Sequence, residues 1–368
     1  MSIKVLNIVG ARPQLMKAAI LSKLFDKSDK FCEILVHTGQ HYDNNMSSSL
    51  MQELFSKAPD YQLTSGGKNE LAMLADLIVS IGDLIIKEAP HYVISYGDTT
   101  TTLAGAIAAR KLNVNHVHVE AGVRNYDMRM PEEVNRVLID KISDLNFCAT
   151  GQGVKNLLNE GHQSVLQSSS TMFSGDLMLD CYIETSKSSL LNDAHFKLLP
   201  LTQKDYVYVT LHRQSNVDNK IKLEEILAAL NEINTELTVV FPLHPRTRKR
   251  IEEFKCNLAF KPISPISYVE SIALLHGSKY VITDSGGLIR EAFFAKKPSL
   301  LLLESPLWPE IEELGCSIST KKISYNSILE HYEKCKLLKG DFSVPIYGNG
   351  DAGINIVRAI ERHFKGVY

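Results

Sequence analysis

Residues 4–14 read Lys4-Val5-Leu6-Asn7-Ile8-Val9-Gly10-Ala11-Arg12-Pro13-Gln14, a short apolar run that ends in a glycine turn followed by arginine and proline. With one lysine ahead of so short a run, the segment reads as a buried first strand and not as a signal peptide. The same order of strand, turn and helix recurs down the chain. Strands are expected at Lys4–Val9, Glu33–His37, Tyr92–Tyr96, His116–Glu120, Leu145–Ala149 and Met172–Ser174. Between them lie helical patterns at Met16–Phe25, Glu70–Ile86, Thr101–Leu112 and Glu132–Ile142. Such alternation implies βαβ units and a parallel sheet. Apolar residues on consecutive strand positions imply helices on both faces.

The pattern restarts beyond residue 180, with strands expected at Asp205–Leu211, Thr238–Leu243, Tyr280–Thr283 and Ser299–Leu303. Helices are expected at Ile221–Thr235, Tyr268–His276 and Gly287–Ala295, and Gly353–Phe364 closes the chain. The polar patch Gln167-Ser168-Ser169-Ser170 suggests a boundary within 165–200. The expected fold class is α/β, with two Rossmann-like, doubly wound domains facing each other across a cleft. Their expected limits are 1–175 and 176–350, followed by a closing helix in 351–368. The length of 368 residues fits this division, being about right for two domains of roughly 150–190 residues.

Composition narrows the function. Lys and Arg number 40 against 42 Asp and Glu, for a formal charge of −2, so bulk electrostatic binding of nucleic acid or of an anionic membrane has no support. No stretch approaches the roughly 18–20 apolar residues of a membrane span. Six cysteines with no C-x-x-C pair read as core thiols of a cytoplasmic protein, not as disulfides or a zinc site.

Ligands of doubly wound sheets bind beyond the carboxyl ends of the strands, and the unusual polar residues fall there. The first four strands are followed by Gly10-Ala11-Arg12, Thr38-Gly39-Gln40-His41, Gly97-Asp98 and Glu120-Ala121-Gly122. In the second half the same positions carry His212-Arg213, His244-Pro245-Arg246 and Asp284-Ser285-Gly286-Gly287. Arg12 and Lys17 at one helix start, and Ser285-Gly286-Gly287 at another, suit a diphosphate, because free amides and the positive helix end favour anions. Either turn alone would be an ordinary strand-to-helix connection, and Lys17 alone an ordinary solvated lysine. Together they point to a nucleotide diphosphate.

Asp98 and Glu120 end apolar strands, where an unpaired charge is costly. Glu132 and Glu133 follow Pro131 at a helix start, a place where acids are common for dipole reasons alone. Several carboxylates near one cleft suit general acid–base chemistry, since burial and mutual repulsion separate their pKa values. His212 is a further candidate for proton transfer. No Walker-type loop, full dinucleotide fingerprint, H-E-x-x-H, G-x-S-x-G or kinase set occurs. Gly151-Gln152-Gly153 suits a helix start, and Ser285 is rejected as a serine nucleophile.

The ordered series GARPQ…K, TGQHYD, YGDTTTTLAGA, HVEAGVR, MRMPEEVNR, SGD, HR…N, PLHPRT and TDSGG…EA, over residues 8–310, resembles the non-hydrolysing UDP-N-acetylglucosamine 2-epimerases of glycosyltransferase-B fold. GARPQ, MRMPEE and PLHPRT look closest to the branch acting on UDP-2,3-diacetamido-2,3-dideoxyglucuronate. The resemblance implies elimination of UDP across C1–C2 to a glycal and its re-addition after protonation of the opposite face, with no cofactor and no metal. It implies Asp98, Glu120, Glu132 and His212 as catalytic residues. Arg12, Lys17, Arg213, Ser285, Gly286, Gly287 and Glu291 would contact the nucleotide sugar, and Gln40, His41 and His244 would line the cleft near the sugar. A homodimer serving surface-polysaccharide synthesis is also implied.

Three positions depart from the family pattern: Ile289 stands for a glutamine, Leu303 for an arginine, and Ser215 for the glutamate of H-R-x-E-N. All lie in the expected nucleotide-holding half. They keep open a hydrolysing epimerase that releases UDP and free N-acetylmannosamine, a glycosyltransferase on the same fold, and a non-catalytic sensor.

Overall fold

The computed structural model describes residues 2–40, 51, 54–65, 67, 69–162, 170–188, 191, 205–303 and 306–366. His41, Gln167 to Ser169, Glu304 and Ser305 lie outside these described residues. The chain divides into two units, Met1–Cys181 with Pro345–Tyr368, and Tyr182–Val344.

The first unit is built on seven parallel strands: β1 (Ile3–Val9), β2 (Phe31–His37), β3 (Tyr61–Gln62), β4 (Tyr92–Tyr96), β5 (Asn115–Val119), β6 (Leu145–Cys148) and β7 (Ser170–Phe173). Their order is β3-β2-β1-β4-β5-β6-β7. Val5, Leu6, Ile8 and Val9 are all buried, so both faces of β1 are covered, as its unbroken apolar run requires. The intervening helices are α1 (Arg12–Asp26), α2 (Glu70–Glu88), α3 (Thr100–Lys111), α4 (Pro131–Ile142) and α5 (Gly151–Asn159). Thr99 caps α3 by accepting from the Thr102 amide. A Cβ on Gly105 of α3 would stand 3.3 Å from Ile8 Cδ1, so the small residues of TTTTLAGA let this helix lie close against β1. Gly151 does open a helix, capped by Thr150.

The chain leaves the first unit within α6 (Leu177–Ser186). The second unit has five parallel strands, β8 (Val207–Thr210), β9 (Val239–Val240), β10 (Tyr280–Thr283), β11 (Ser299–Leu301) and β12 (Ser317–Ser319), in the order β12-β11-β10-β8-β9. Its helices are α7 (Gln214–Val217), α8 (Lys220–Glu236), α9 (Pro245–Phe254), α10 (Tyr268–Gly277), α11 (Gly286–Phe294), α12 (Pro309–Glu313) and α13 (Tyr325–Lys336). A core of Val207, Val209, Ile226, Leu230, Ile282, Leu300 and Ile328 fastens α8 and α13 to this sheet.

Helix α14 (Ala352–Phe364) returns to the first unit and packs on α1. Residues 176–181 and 345–350 also go with the first unit, where the sequence reading set its limits at 175 and 350. The reason is local: the Asp176 amide donates to the Tyr347 carbonyl at 2.9 Å, which ties the two crossing segments together. Asp180 completes the join by accepting from the Ala352 and Gly353 amides at 3.2 and 2.8 Å. It thus caps α14 from outside, since Asp351 makes no side-chain cap.

Burial pushes the Asp180 carboxyl up to about 6, partly offset by those two amides. Its folded pKa lies above the unfolded value of about 3.9. The stability it contributes is therefore full below about pH 4 and is lost as pH rises through about 6. Denaturant titrations should show the advantage of the wild type over Asp180→Asn shrinking from pH 5 to pH 7. A constant or growing difference would contradict this assignment.

Candidate active site

Each sheet reverses its winding once, and each reversal carries a polar cluster. In the first unit the neighbours β1 and β4 mark the reversal, and their carboxyl ends lead to Gly10-Ala11-Arg12 and Gly97-Asp98. In the second, β8 and β10 do so, leading to Leu211-His212-Arg213 and Asp284-Ser285.

In the first unit Lys17 is not a solvated lysine. Its side chain is 3% exposed and its Nζ lies 2.5 Å from Glu120 Oε2. Asp98, 34% exposed, holds Arg136 Nη1 at 2.5 Å through Oδ2, and Asn135 Nδ2 donates to its carbonyl at 2.8 Å. Burial pushes the Asp98 carboxyl up; Arg136 and Lys17 pull it down, while Glu120 and Glu132 add to the rise. Asp98, Glu120 and Glu132 therefore share one electrostatic field with two cations. The adjacent glutamates of α4 divide their work. Glu133 is buried, accepts from the Asn125 and Tyr126 amides and pairs with Arg136, whereas Glu132 stands exposed.

The backbone here is bent to purpose. Glu120 has φ 70°, a left-handed conformation that costs a residue with a Cβ about 1–3 kcal/mol and persists only where the surroundings enforce it. Gly122, at φ 78°, could carry no Cβ, since one would fall within 2.3 Å of the Gly153 carbonyl oxygen. Gln14 links the two central strand ends. Its Oε1 accepts from the Gly10 and Ala11 amides, and its Nε2 donates to the Tyr96 carbonyl at 2.8 Å and to the Thr99 and Thr102 hydroxyls at 2.9 Å. Gln40 accepts from the Thr101 amide and hydroxyl at 3.2 and 2.7 Å. Arg12, half-buried at the first turn of α1, forms no ion pair with another described residue.

In the second unit Asp284 is fully buried and accepts from the His212 and Arg213 amides and from Asn216 Nδ2. His212 Nδ1 lies 3.0 Å from Asp284 Oδ1. Burial alone would raise the Asp284 carboxyl, but its bonds from His212 and Arg213 hold it below the usual range. With Nδ1 committed to Asp284, Nε2 of His212, whose side chain is 41% exposed, is the nitrogen left for a ligand or a proton. The His244 ring lies 5.9 Å from that of His212, and its Nδ1 accepts the Arg246 amide at the start of α9. Ser285 caps α11 by accepting from the Leu288 amide at 3.3 Å. The Gly286 carbonyl takes Trp308 Nε1 at 3.0 Å and Arg290 Nε at 3.3 Å, with the Arg290 guanidinium 4.4 Å from the Trp308 ring. Among the described residues, Ser285 Oγ at 3.6 Å is the only atom within 4 Å of where a Cβ on Gly287 would stand. Glu291 is buried, not a helix-surface acid.

The structure thus gathers Asp98, Glu120, Glu132 and Lys17 in the first unit and His212, Arg213, His244, Ser285, Gly286 and Gly287 at the strand ends of the second. Sequence reading missed Arg136, Gln14 and Asp284 as partners within these clusters. Arg136 lies in MRMPEEVNR one helical turn past Glu132, and that spacing was its available signal. Among the described residues no group of three His, Cys, Asp or Glu side chains is gathered to hold a metal ion.

The family model for UDP-N-acetylglucosamine 2-epimerase matches residues 23–361. A Pseudomonas aeruginosa protein described as UDP-2,3-diacetamido-2,3-dideoxy-D-glucuronate 2-epimerase is 43% identical over 86% of this chain and 87% of its own. A Methanococcus maripaludis homolog of UDP-N-acetylglucosamine 2-epimerase is 38% identical over 97% of this chain and 99% of its own. The Methanocaldococcus jannaschii UDP-GlcNAc 2-epimerase, solved with UDP-GlcNAc and UDP, superposes with a TM-score of 0.88 at 32% identity, covering 97% of this chain and 99% of that one.

Removing the Arg136 cation beside Asp98 should leave Lys17 alone to oppose burial and the neighbouring carboxylates. In Arg136→Gln the Asp98 carboxyl, followed by ¹³C NMR, should titrate at higher pH than in the wild type. An unmoved titration would show that the contact contributes nothing.

Proposed function

The chain belongs to the UDP-N-acetylglucosamine 2-epimerase family and is a nucleotide-sugar 2-epimerase of glycosyltransferase-B fold; from that premise we propose that it inverts C2 of a UDP-acetamido sugar, with UDP-2,3-diacetamido-2,3-dideoxyglucuronate the first substrate to test and UDP-N-acetylglucosamine the second. The observation that carries this reading is the set of three carboxylates, Asp98, Glu120 and Glu132, interleaved with Lys17 and Arg136 at one strand-end reversal. The preference between substrates rests on the 43% identity to the Pseudomonas relative.

The chemistry explains why such a set is needed. The C2 proton of an acetamido sugar has no carbonyl next to it to take up negative charge, so direct removal is slow. Breaking the C1–O bond, with UDP leaving as the anion and taking the electron pair, places positive charge at C1. The C2–H bond then supplies the electrons of a C1=C2 double bond while its proton passes to a carboxylate. Returning a proton to the other face of C2 restores charge at C1, and a diphosphate oxygen closes the bond again. This requires acid–base groups on both faces and fixed charge along the path. We assign those roles to Asp98, whose carboxyl is pushed up by burial, to Glu120 against Lys17, and to Glu132.

For the second unit we assign the leaving diphosphate to His212, oriented by Asp284, with Arg213, Ser285 and the first amides of α11; Arg12, in the first unit, is proposed as a contact of the nucleotide sugar. Glu291 is proposed to hold the ribose, and Gln40, His41 and His244 to line the sugar site. No helix of the described residues is long and apolar enough to cross a membrane, and the six thiols are free. We place the protein in the cytoplasm, supplying a precursor for surface polysaccharide. A homodimer is proposed through α2, on which Leu71, Val79 and Ile86 share one exposed apolar face.

Incubation in deuterated water should put deuterium at C2 of the recovered UDP sugar, and Asp98→Asn or Glu120→Gln should slow this by about 10²–10⁴-fold. Absence of label with both substrates would refute the assignment. Accumulation of free sugar with UDP would instead favour the hydrolysing reading, which the arginine missing at Leu303 motivates. Sedimentation of Val79→Glu/Ile86→Glu should give a monomer where the wild type is a dimer.

A further inference from the structure

We propose that His118 and Asp140, which lie behind the carboxylate cluster, are a positioning pair that fixes the two loops bearing Asp98 and Glu120 relative to one another. The functional part of this inference rests on the reading that those carboxylates act on the sugar. His118 is fully buried on β5, two residues before Glu120. Its Nε2 lies 2.7 Å from the Gly97 carbonyl oxygen, and its Nδ1 lies 2.6 Å from Asp140 Oδ1. A backbone carbonyl can only accept. The Asp140 carboxyl, raised by burial but more than compensated by His118 and Arg124, is held low and so accepts as the anion. Both ring nitrogens of His118 thus face acceptors that hold the ring in place.

The second oxygen of Asp140 does related work. Oδ2 accepts from the Gly122 amide at 3.1 Å and holds Arg124 Nη1 at 2.7 Å, while Arg124 also forks onto Glu160. One carboxylate thus grips the chain at 118, 122 and 124, on both sides of Glu120, and His118 extends the grip to Gly97. The Gly97 amide donates to the Val119 carbonyl at 2.9 Å, so both polar groups of this glycine are held by β5. The peptide that carries Asp98 and the left-handed residue Glu120 are in this way fixed by a single buried pair. His116, on the same face of β5, shows what a merely structural histidine looks like here. Ser143 donates its hydroxyl to the Ile139 carbonyl and so accepts from His116 Nδ1, and Nε2 lies 2.9 Å from the Ser95 hydroxyl. Burial drives the His116 pKa down to about 3.

Two substitutions separate positioning from folding. His118→Gln keeps an amide donor near the place of Nε2 and can still reach Gly97, whereas His118→Asn stops short of it. In C2 deuterium exchange His118→Asn should lose about 10–100-fold in kcat with KM within about threefold, and His118→Gln should recover most of the loss. Amide hydrogen exchange gives a readout that does not need turnover. Protection at Gly97 and Asp98 should fall in His118→Asn and be restored in His118→Gln. Equal kcat losses in both variants, or unchanged protection in His118→Asn, would overturn the proposal. A wild type that exchanges no C2 hydrogen, with the variants showing this pattern of protection, would fail the preceding reading alone.

Discussion

An ionised side chain removed from water is tolerated only beside its counter-charge, and the site in the first unit is arranged around that demand. Lys17 enters the molecule on α1 and must find an anion; Glu120 supplies it, at the cost of a left-handed backbone at the end of β5. Gln14, one turn earlier on α1, fixes where that helix starts by linking Gly10 and Ala11 to Tyr96, Thr99 and Thr102. If Lys17 lost its partner, the helix start, the strand end and the carboxylate would each lose a reason for their geometry.

Helix α4 meets the same demand on the other side. Successive turns of one helical face present Glu132 and Glu133, then Asn135 and Arg136, then Asp140. Asn135 and Arg136 hold Asp98 from its carbonyl and its carboxylate, and Asp140 holds the loop of Glu120. A short amphipathic segment thus sets both carboxylates, which explains why Glu133, Asn135 and Arg136 of PEEVNR can be polar or charged and still be buried.

The parallel α/β character was legible because strands such as Ile3–Val9 and Tyr92–Tyr96 are apolar on both faces, and the candidate site was legible because polar residues after such strands have few other reasons to be there. Strands β3 and β12 were not foreseen; at two and three residues they have no period to read. Helices α9 and α13 were also missed. PRTRKRIEEF is dominated by charge and hides its short apolar stripe. The partners that make the site work were equally hidden, because Arg136 meets Asp98, and His212 meets Asp284, across long sequence separations that local pattern does not encode. Position at a helix start names the pair Glu132 and Glu133 without choosing between them, and the choice of Glu132 came from the family resemblance. The backbone amides of Asn125 and Tyr126, converging on Glu133, leave Glu132 as the exposed member.

The return of α14 to α1 has a bearing on how the protein is made. The second unit is an insertion, with residues 182–344 complete before the ribosome has finished the segment that covers α1. Ile356 and Ile360, fully buried in the finished unit, and the two amides gripped by Asp180 arrive last. In vectorial synthesis the amino-terminal unit therefore cannot be completed first, because the segment that covers α1 is made after the whole of the second unit. The half that bears the carboxylates waits, with part of α1 uncovered, until the carboxyl-terminal segment emerges.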